Sequence, residues 1–161
     1  MSDRKNAIRK HIEERHAAAW AILSRLGPDD WGRPVYSTES AHWSARDVLA
    51  HLADAERGQA AQMKRILAGG HSLPPDFDLD RWNRRSVERR TAQSGPELLA
   101  DIAASYADLL ALLDAIPEAD LDKTGRHPRG DDLSLEGYFR RISDHRATHA
   151  AETAQALAGG R

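Results

Sequence analysis

Apolar residues recur every three or four positions along four long stretches of the chain. This spacing places them on one face of an α-helix, so it predicts four amphipathic helices. The predicted helices cover residues 3–26, 45–68, 94–116 and 134–158. Their ends carry helix signals: Ser94 and Glu97 form a capping box, and Gly27 before Pro28 is a typical stop.

Three connections join these helices, and the middle one, over residues 69–95, is the longest. Within it, residues 79–93 predict a short extra helix. Four helices with one apolar face each bury those faces against one another, so the predicted fold is all-α, a four-helix bundle. The middle connection is long enough to cross the bundle, which allows helices two and three to run parallel. No change in composition marks a second unit, and a single domain over residues 1–161 is expected.

Composition narrows the function further. The 161 residues include no cysteine, which excludes disulfides, thiolate metal sites and cysteine nucleophiles. No apolar stretch reaches the roughly 18 residues of a membrane span, and no apolar signal segment is present, so we expect a cytoplasmic protein without a membrane partner. The net charge is −2, whereas phosphate-backbone binders are typically basic, so nucleic acid is not an expected partner.

Three histidines stand where a helix would normally carry apolar residues. His145 and His149 are four apart and continue the apolar stripe from Ile142, so their rings share one helix face. His51 lies at the border of the stripe of the second helix. If helices two and four run antiparallel, a rise of 1.5 Å per residue brings the three rings within roughly 3–9 Å in height.

Buried imidazoles need partners, because an unpaired one costs on the order of 1–3 kcal/mol. A divalent cation supplies a partner for each nitrogen. Three histidines without a carboxylate or thiolate leave coordination positions open, which is typical of a catalytic metal site. Nitrogen ligands suit Zn, Ni, Cu or Fe(II), and the sequence alone leaves all four open.

Three segments carry a resemblance to a known family. They are HWSARDVLAHLADAERG (42–58), FDLDRWNRRSVERR (77–90) and GRHPRGDDLSLEGYFRRISDHRATHAAE (125–152). The most specific element is one histidine in the second helix followed by HxxxH in the fourth. With these segments the chain resembles the DinB/YfiT-like metalloenzyme superfamily over about residues 10–157.

The resemblance implies a four-helix bundle of up-down-down-up topology. It also implies a divalent metal, commonly nickel or zinc, at His51, His145 and His149, and it places Trp82 and Asn83 beside that metal as substrate-binding residues. Characterised relatives include S-transferases that use the low-molecular-weight thiols bacillithiol or mycothiol, and a mycothiol-dependent maleylpyruvate isomerase. Homodimers are common in the family, so a homodimer stays open here.

The leading hypothesis is a metal-dependent enzyme of the thiol S-transferase or hydrolase class. The cation would activate a low-molecular-weight thiol, or water, for attack on a small electrophile, and no catalytic residue beyond the metal ligands is assigned. One alternative is a non-catalytic small-molecule-binding or stress-resistance protein that uses the metal as an anchor. Another is a relative without metal.

Other candidates receive plainer interpretations. Asp144 and Glu152 are either hydrogen-bond acceptors beside the metal ligands or surface charges, and the sequence favours surface charges. The basic face of the short helix is expected to be solvated and paired with nearby acids. The five histidines outside the proposed site are predicted to be surface or cap residues; they are His11, His16, His42, His71 and His127.

Overall fold

A computed structural model describes residues 2–37, 42–70 and 73–159 of the chain. Five α-helices dominate this part of the protein. They are α1 (Asp3–Leu23), α2 (Ala45–Leu67), α3 (Leu79–Arg89), α4 (Gly95–Ala115) and α5 (Leu135–Gly159). The four long helices match the predicted ones, and α3 is the predicted extra helix. The all-α, four-helix-bundle prediction is therefore confirmed.

Side-chain caps explain why two of the helices begin where they do. The Ser44 hydroxyl accepts from the backbone N–H of Asp47 at 3.3 Å, and the Asp47 carboxylate accepts from the Ser44 backbone at 3.0 Å. Ser94 and Glu97 make the same reciprocal pair at the start of α4. Each box satisfies backbone donors that a helix leaves free at its first turn.

Contacts along the bundle give the directions of α1, α4 and α5. Arg4 pairs with Glu136 at 2.7 Å, near the beginnings of both α1 and α5, so these two helices run in the same direction. The Lys5 ammonium donates to the backbone carbonyls of Asp114 and Ile116. The beginning of α1 therefore lies beside the end of α4, and these two run in opposite directions.

Helices α2 and α5 also run in opposite directions. Gln62, late in α2, contacts Tyr138, early in α5, while Glu56 in the middle of α2 pairs with Arg146 further along α5. These directions are compatible with an up-down-down-up order. They bring the first half of α2 beside the middle of α5, where the three candidate ligands lie.

The core forms two apolar clusters along the bundle. The first is built around Ile8, Ile12, Met63, Leu113, Tyr138 and Phe139. The second is built around Ala19, Leu23, Leu49, Leu52, Leu98 and Ile102. Most of these positions belong to the predicted apolar stripes, so helical periodicity did identify the buried faces.

Two short antiparallel hairpins were not predicted from the sequence. Strands β1 (Pro34–Ser37) and β2 (His42–Ser44) lie between α1 and α2, and β3 (Thr124–Arg126) and β4 (Asp132–Ser134) precede α5. A short 3₁₀ helix, Glu118–Asp122, comes before β3. Gly130, in the β3–β4 loop, has φ +95°, a conformation that glycine adopts without a side-chain clash.

Within the described residues, no helix combines the length and the apolar character that a membrane crossing would require.

Candidate metal centre

The antiparallel pair α2 and α5 brings His51, His145 and His149 together. Nε2 of His145 lies 3.2 Å from Nε2 of His51 and 3.0 Å from Nε2 of His149. All three nitrogens lie within 4.8 Å of one another. We call these residues the three-histidine group. His51 is buried and the other two are partly buried.

Burial keeps the three rings neutral near pH 7. It lowers the pKa of His51 to about 3, with a further contribution from the charge of His149, and it lowers the pKa of His145 well below its ordinary value. Burial also lowers the pKa of His149. Neutral imidazole is the form that binds metal ions, because its free lone pair is the ligand.

The contacts among the rings cannot all be hydrogen bonds. A neutral imidazole carries one N–H, and Nε2 of His145 faces Nε2 of two other rings. Nε2 of His145 has either one N–H or one lone pair in the ring plane, so it can make one well-directed hydrogen bond and not two. A cation between three lone pairs removes this conflict, so the group fits a divalent metal ion, and its all-nitrogen donor set leaves coordination positions free.

His149 is oriented by two residues outside the group. Its Nδ1 lies 2.6 Å from the Tyr36 hydroxyl and 3.3 Å from a carboxylate oxygen of Glu152, and the hydroxyl itself donates to Glu152. With Nε2 directed at the other histidines, the proton of His149 belongs on Nδ1. Burial and the Glu152 carboxylate raise the pKa of Tyr36, so its hydroxyl stays protonated.

Sequence reasoning missed Tyr36, and for Glu152 it favoured a surface charge over an acceptor beside the metal ligands. Tyr36 comes from β1, more than one hundred positions before His149, so no local spacing signals the contact. Glu152 stands three residues after His149 on one helix face, and this spacing could have indicated the pair. The Glu152 side chain is nevertheless 45% exposed, so the surface prediction is correct for its location.

His51 and His145 have no partner that orients the ring in the way Tyr36 and Glu152 orient His149. Nδ1 of His51 and Nδ1 of His145 are buried and make no hydrogen bond within the part of the chain that the structure describes. The ring of Trp43 lies 4.8 Å from that of His51. Packing, rather than hydrogen bonding, therefore holds the His51 ring.

A cavity of about 870 Å³ opens over the three-histidine group. Trp43, Phe77, Leu79 and Trp82 supply apolar surface, and Asn83, Gln59, His127, Arg129 and Arg141 are among its polar lining residues. Trp82 and Asn83, predicted from the family resemblance, thus line the same cavity as the histidines. Their role in binding a substrate stays a prediction.

The prediction that the basic face of α3 pairs with acids is confirmed for Arg89 and for Arg90, the residue that follows the helix. Arg89 contacts Asp54 at 2.6 Å, and Arg90 contacts Asp101 at 2.6 Å. Arg90 is buried, however, so part of this face is not solvated. Arg89 also lies over the Trp82 ring, 4.8 Å from its centre.

Surface predictions hold for several of the remaining candidates. His42 is exposed. Asp144 pairs with His11 at 3.0 Å and with Arg15 at 2.9 Å on the outside of the bundle, so it is a surface charge. His71 lies outside the described residues.

The surface prediction is wrong for His127, which is only 5% exposed. His16 was also predicted to be a surface or cap residue, and the structure shows it partly buried. The His16 ring stacks on Tyr106 with centroids 3.6 Å apart, and its Nδ1 accepts from Arg146 at 2.7 Å. His16 contacts Arg146, which is distant in the sequence, and His127 is buried by the β3–β4 hairpin and the start of α5, neither of which helical periodicity indicates.

Comparisons with known proteins are consistent with this architecture. The sequence model of the DinB superfamily matches residues 11–153. No curated protein sequence matches the chain. Among solved structures, YfiT from Bacillus subtilis, described as a probable metal-dependent hydrolase with an unusual four-helix bundle topology, has a TM-score of 0.74 and 19% identity. The alignment covers 97% of this chain and 87% of YfiT.

Two further structures share the fold. A mycothiol-dependent maleylpyruvate isomerase has a TM-score of 0.76 and 12% identity, and the alignment covers 94% of this chain and 63% of the isomerase. The colibactin self-resistance protein ClbS, solved in complex with dsDNA, has a TM-score of 0.71 and 13% identity over 95% of this chain and 94% of ClbS. At these identities the similarity shows the fold alone.

The ClbS complex corrects one prediction. A net charge of −2 was expected to exclude nucleic acid, and this exclusion is wrong because a protein of the same fold binds dsDNA. Net charge sums the whole surface, whereas phosphate contacts depend on the local arrangement of positive groups.

Proposed function

Since this chain belongs to the DinB superfamily, we propose that it is a metal-dependent enzyme in which His51, His145 and His149 bind a divalent cation. The observation that carries the proposal is the convergence of three neutral Nε2 atoms within 4.8 Å, on the wall of a cavity. Nickel and zinc are the cations we favour because the resemblance to the DinB/YfiT-like superfamily implies them; nitrogen ligands by themselves also suit copper or iron(II).

The proposed reaction is the attack of a low-molecular-weight thiol, or of water, on a small electrophile. A divalent cation with open coordination positions lowers the pKa of a water or thiol bound to it. The chain has no cysteine, so a sulfur nucleophile would come from a cosubstrate. Two proteins of the same fold support these two nucleophiles: YfiT is described as a probable metal-dependent hydrolase, and the isomerase depends on mycothiol.

The chain's own residues would position the reactants. Tyr36 and Glu152 hold the His149 ring with its Nε2 toward the other ligands. Trp82 and Asn83 would contact the organic part of the substrate. The cavity volume of about 870 Å³ falls within the roughly 300–1,000 Å³ of typical small-molecule sites.

Metal analysis tests the first part of the proposal. Protein purified after growth with nickel or zinc should contain close to one ion per chain, and His149→Ala should contain almost none. His42→Ala is the matched control, because His42 is exposed and lies outside the three-histidine group. Equal, near-zero metal content in all three proteins would remove the metal site.

Turnover tests the second part. Wild-type protein is incubated with a chromogenic haloaromatic electrophile and each of several thiols, with and without prior chelation. We expect the protein to consume the electrophile, either with an added thiol or by hydrolysis. Chelation should abolish this rate, and adding back the same metal should restore it. Activity that is insensitive to chelation would contradict a metal-dependent reaction.

A second candidate is sequestration of a small molecule without turnover. It is favoured by the description of ClbS, which shares the fold, as a self-resistance protein. Metal-dependent binding of the electrophile without any product would support sequestration over catalysis.

A further inference from the structure

His127 has a fixed tautomer. It lies in the loop between β3 and β4, and its Nδ1 accepts from the backbone N–H of Arg129 at 3.2 Å and faces the Arg141 guanidinium, also at 3.2 Å. Both neighbours can only donate, so Nδ1 must carry a lone pair. Burial, with the charge of Arg141, lowers the pKa of His127 to about 4, so the ring is neutral near pH 7. Its proton therefore resides on Nε2.

The Nε2–H of His127 has no acceptor within the described part of the chain, although the atom is buried. A buried donor without a partner costs about 1–3 kcal/mol. His127 lines the cavity over the three-histidine group. An acceptor supplied from that cavity would satisfy the donor.

Arg129 adds an available positive charge to the same wall. Arg129 lines the same cavity as His127 and the three-histidine group, so its guanidinium is available to a ligand bound there. The neighbouring Arg141 is already paired with Asp131 at 3.1 Å. Arg129 makes no ion pair with a carboxylate among the residues that the structure describes.

Gln59 contributes a second unmatched polar atom. Its Oε1 is buried and has no hydrogen-bond donor among residues 2–37, 42–70 and 73–159. Gln59 lines the same cavity, one helical turn before Gln62, which contacts Tyr138. Tyr138 in turn lies beside His127, with ring centroids 5.5 Å apart. The Gln59 oxygen is an acceptor, so it would pair with a donor group of a ligand and not with a carboxylate.

We propose that His127 and Arg129 form a carboxylate-binding subsite of the cavity, with His127 Nε2–H as the hydrogen-bond donor and Arg129 as the countercharge. Carboxylate recognition by these two residues does not require the metal. One further step rests on the proposed function, namely that the bound carboxylate is part of the substrate or of the thiol cosubstrate. In that molecule the carboxylate would be a separate group from the atoms that react.

Benzoate and benzamide are suitable probes, because they have nearly the same shape and differ in charge. Metal is first removed with a chelator, and the chelator is dialysed away so that it cannot compete. Binding is then followed by NMR titration of the indole N–H signals of Trp43 and Trp82. We expect benzoate to bind at least about tenfold more tightly than benzamide, which corresponds to about 1.4 kcal/mol.

Two variants separate the contributions. Arg129→Ala should remove the preference for benzoate and leave benzamide binding unchanged. His127→Phe should weaken both probes, because each offers an oxygen to the Nε2–H donor. Arg25→Ala, which removes an exposed arginine outside the cavity, should bind like wild type. Arg129 is exposed, so its variant is expected to fold even if His127→Phe does not.

Equal affinity for the two probes would overturn the proposal, as would benzoate binding that Arg129→Ala leaves unchanged. Binding of benzoate only when metal is present would place the carboxylate at the three-histidine group and would also overturn the subsite. The metal content of the His149→Ala variant is measured separately, so failure of the subsite and failure of the metal site give different results.

Discussion

The hydroxyl of Tyr36 contacts both His149 and Glu152, although Tyr36 lies more than one hundred positions before them in the sequence. Replacement by phenylalanine keeps the ring and removes the hydroxyl. Outer partners of metal-bound histidines typically change metal affinity about 10- to 100-fold. We expect Tyr36→Phe to weaken binding of nickel or zinc within that range, measured by competition with a chromophoric chelator.

Tyr106→Phe is the control for this prediction. Tyr106 is also partly buried and also stacks on a histidine, His16, but it does not contact the three-histidine group. Its variant should bind metal like the wild type. Equal metal affinity of Tyr36→Phe and Tyr106→Phe would contradict an orienting role for the Tyr36 hydroxyl.

A buried ion pair lies immediately beside the site. The Arg146 guanidinium is fully buried and makes two hydrogen bonds to the Glu56 carboxylate, at 2.7 and 2.6 Å. Removing one partner of such a pair typically costs about 3–5 kcal/mol, because the other charge stays buried without compensation. We expect Glu56→Ala to lower the free energy of unfolding by about that amount, measured by urea denaturation.

The Arg4–Asp122 pair provides the comparison. Asp122 is 71% exposed, and exposed ion pairs typically contribute about 0–1 kcal/mol. Asp122→Ala should therefore change stability little. If Glu56→Ala lowers the free energy of unfolding no more than Asp122→Ala does, the buried charge of Arg146 is stabilised by another partner, either His16 or solvent.

Residue-scale prediction from the sequence succeeded where the signal was local. His145 and His149 share a helix face through their spacing of four, and that spacing is independent of the rest of the fold. His127 and Tyr36 could not be found in this way. Their environments are set by a hairpin, and by contacts with residues whose proximity depends on the complete bundle.

At the scale of elements, the beginning of α4 depends on close packing against the preceding connection. A methyl group at Gly95 would lie 2.6 Å from the indole of Trp31, inside the normal contact distance. Overpacking of this kind typically costs about 1–3 kcal/mol. We expect Gly95→Ala to destabilise the protein by that amount in denaturant titrations, with the Ser94 cap still in place.

Gly32→Ala tests whether this loss comes from the contact. Gly32 stands next to Trp31, but a methyl group there would meet no atom within 4 Å. Its φ angle is not in the left-handed region, so alanine fits the backbone. Equal stability of Gly95→Ala and Gly32→Ala would contradict the proposed clash.

The helices were predictable because their signals are short-range. A period near 3.6 and a serine three residues before an acid specify the faces and the starts of α2 and α4. The β1–β2 and β3–β4 hairpins have strands of three or four residues, too short for an alternating pattern to emerge. This matters for function, since the hairpins contribute Tyr36 and His127 to the neighbourhood of the site.

At the scale of the whole molecule, the site exists only because α2 and α5 run in opposite directions. Opposite directions put His51, in the first half of α2, beside the middle of α5. The sequence favoured this arrangement through the heights of the histidines and the long middle connection. The cavity and its charges could not be predicted, because they arise where α2, α3, α5 and both hairpins meet.

Metal binding should therefore stabilise the entire fold. The proposed ligands come from two helices, and unfolding separates them, so a cation binds the folded chain more tightly than the unfolded one. At a free metal concentration 100 times the dissociation constant, the expected gain in unfolding free energy is about 2.7 kcal/mol. Histidines of the unfolded chain also bind metal weakly, so the measured gain approaches this value from below.

Thermal and urea unfolding of metal-free protein, with and without added nickel or zinc, measure the gain directly. His149→Ala should be nearly as stable as the metal-free wild type and should gain little from either ion, since the site has lost one of three ligands. His42→Ala should gain as much as wild type, because all three ligands stay in place. If added metal stabilises His149→Ala as strongly as wild type, the ion binds elsewhere and α2 and α5 are not linked through it.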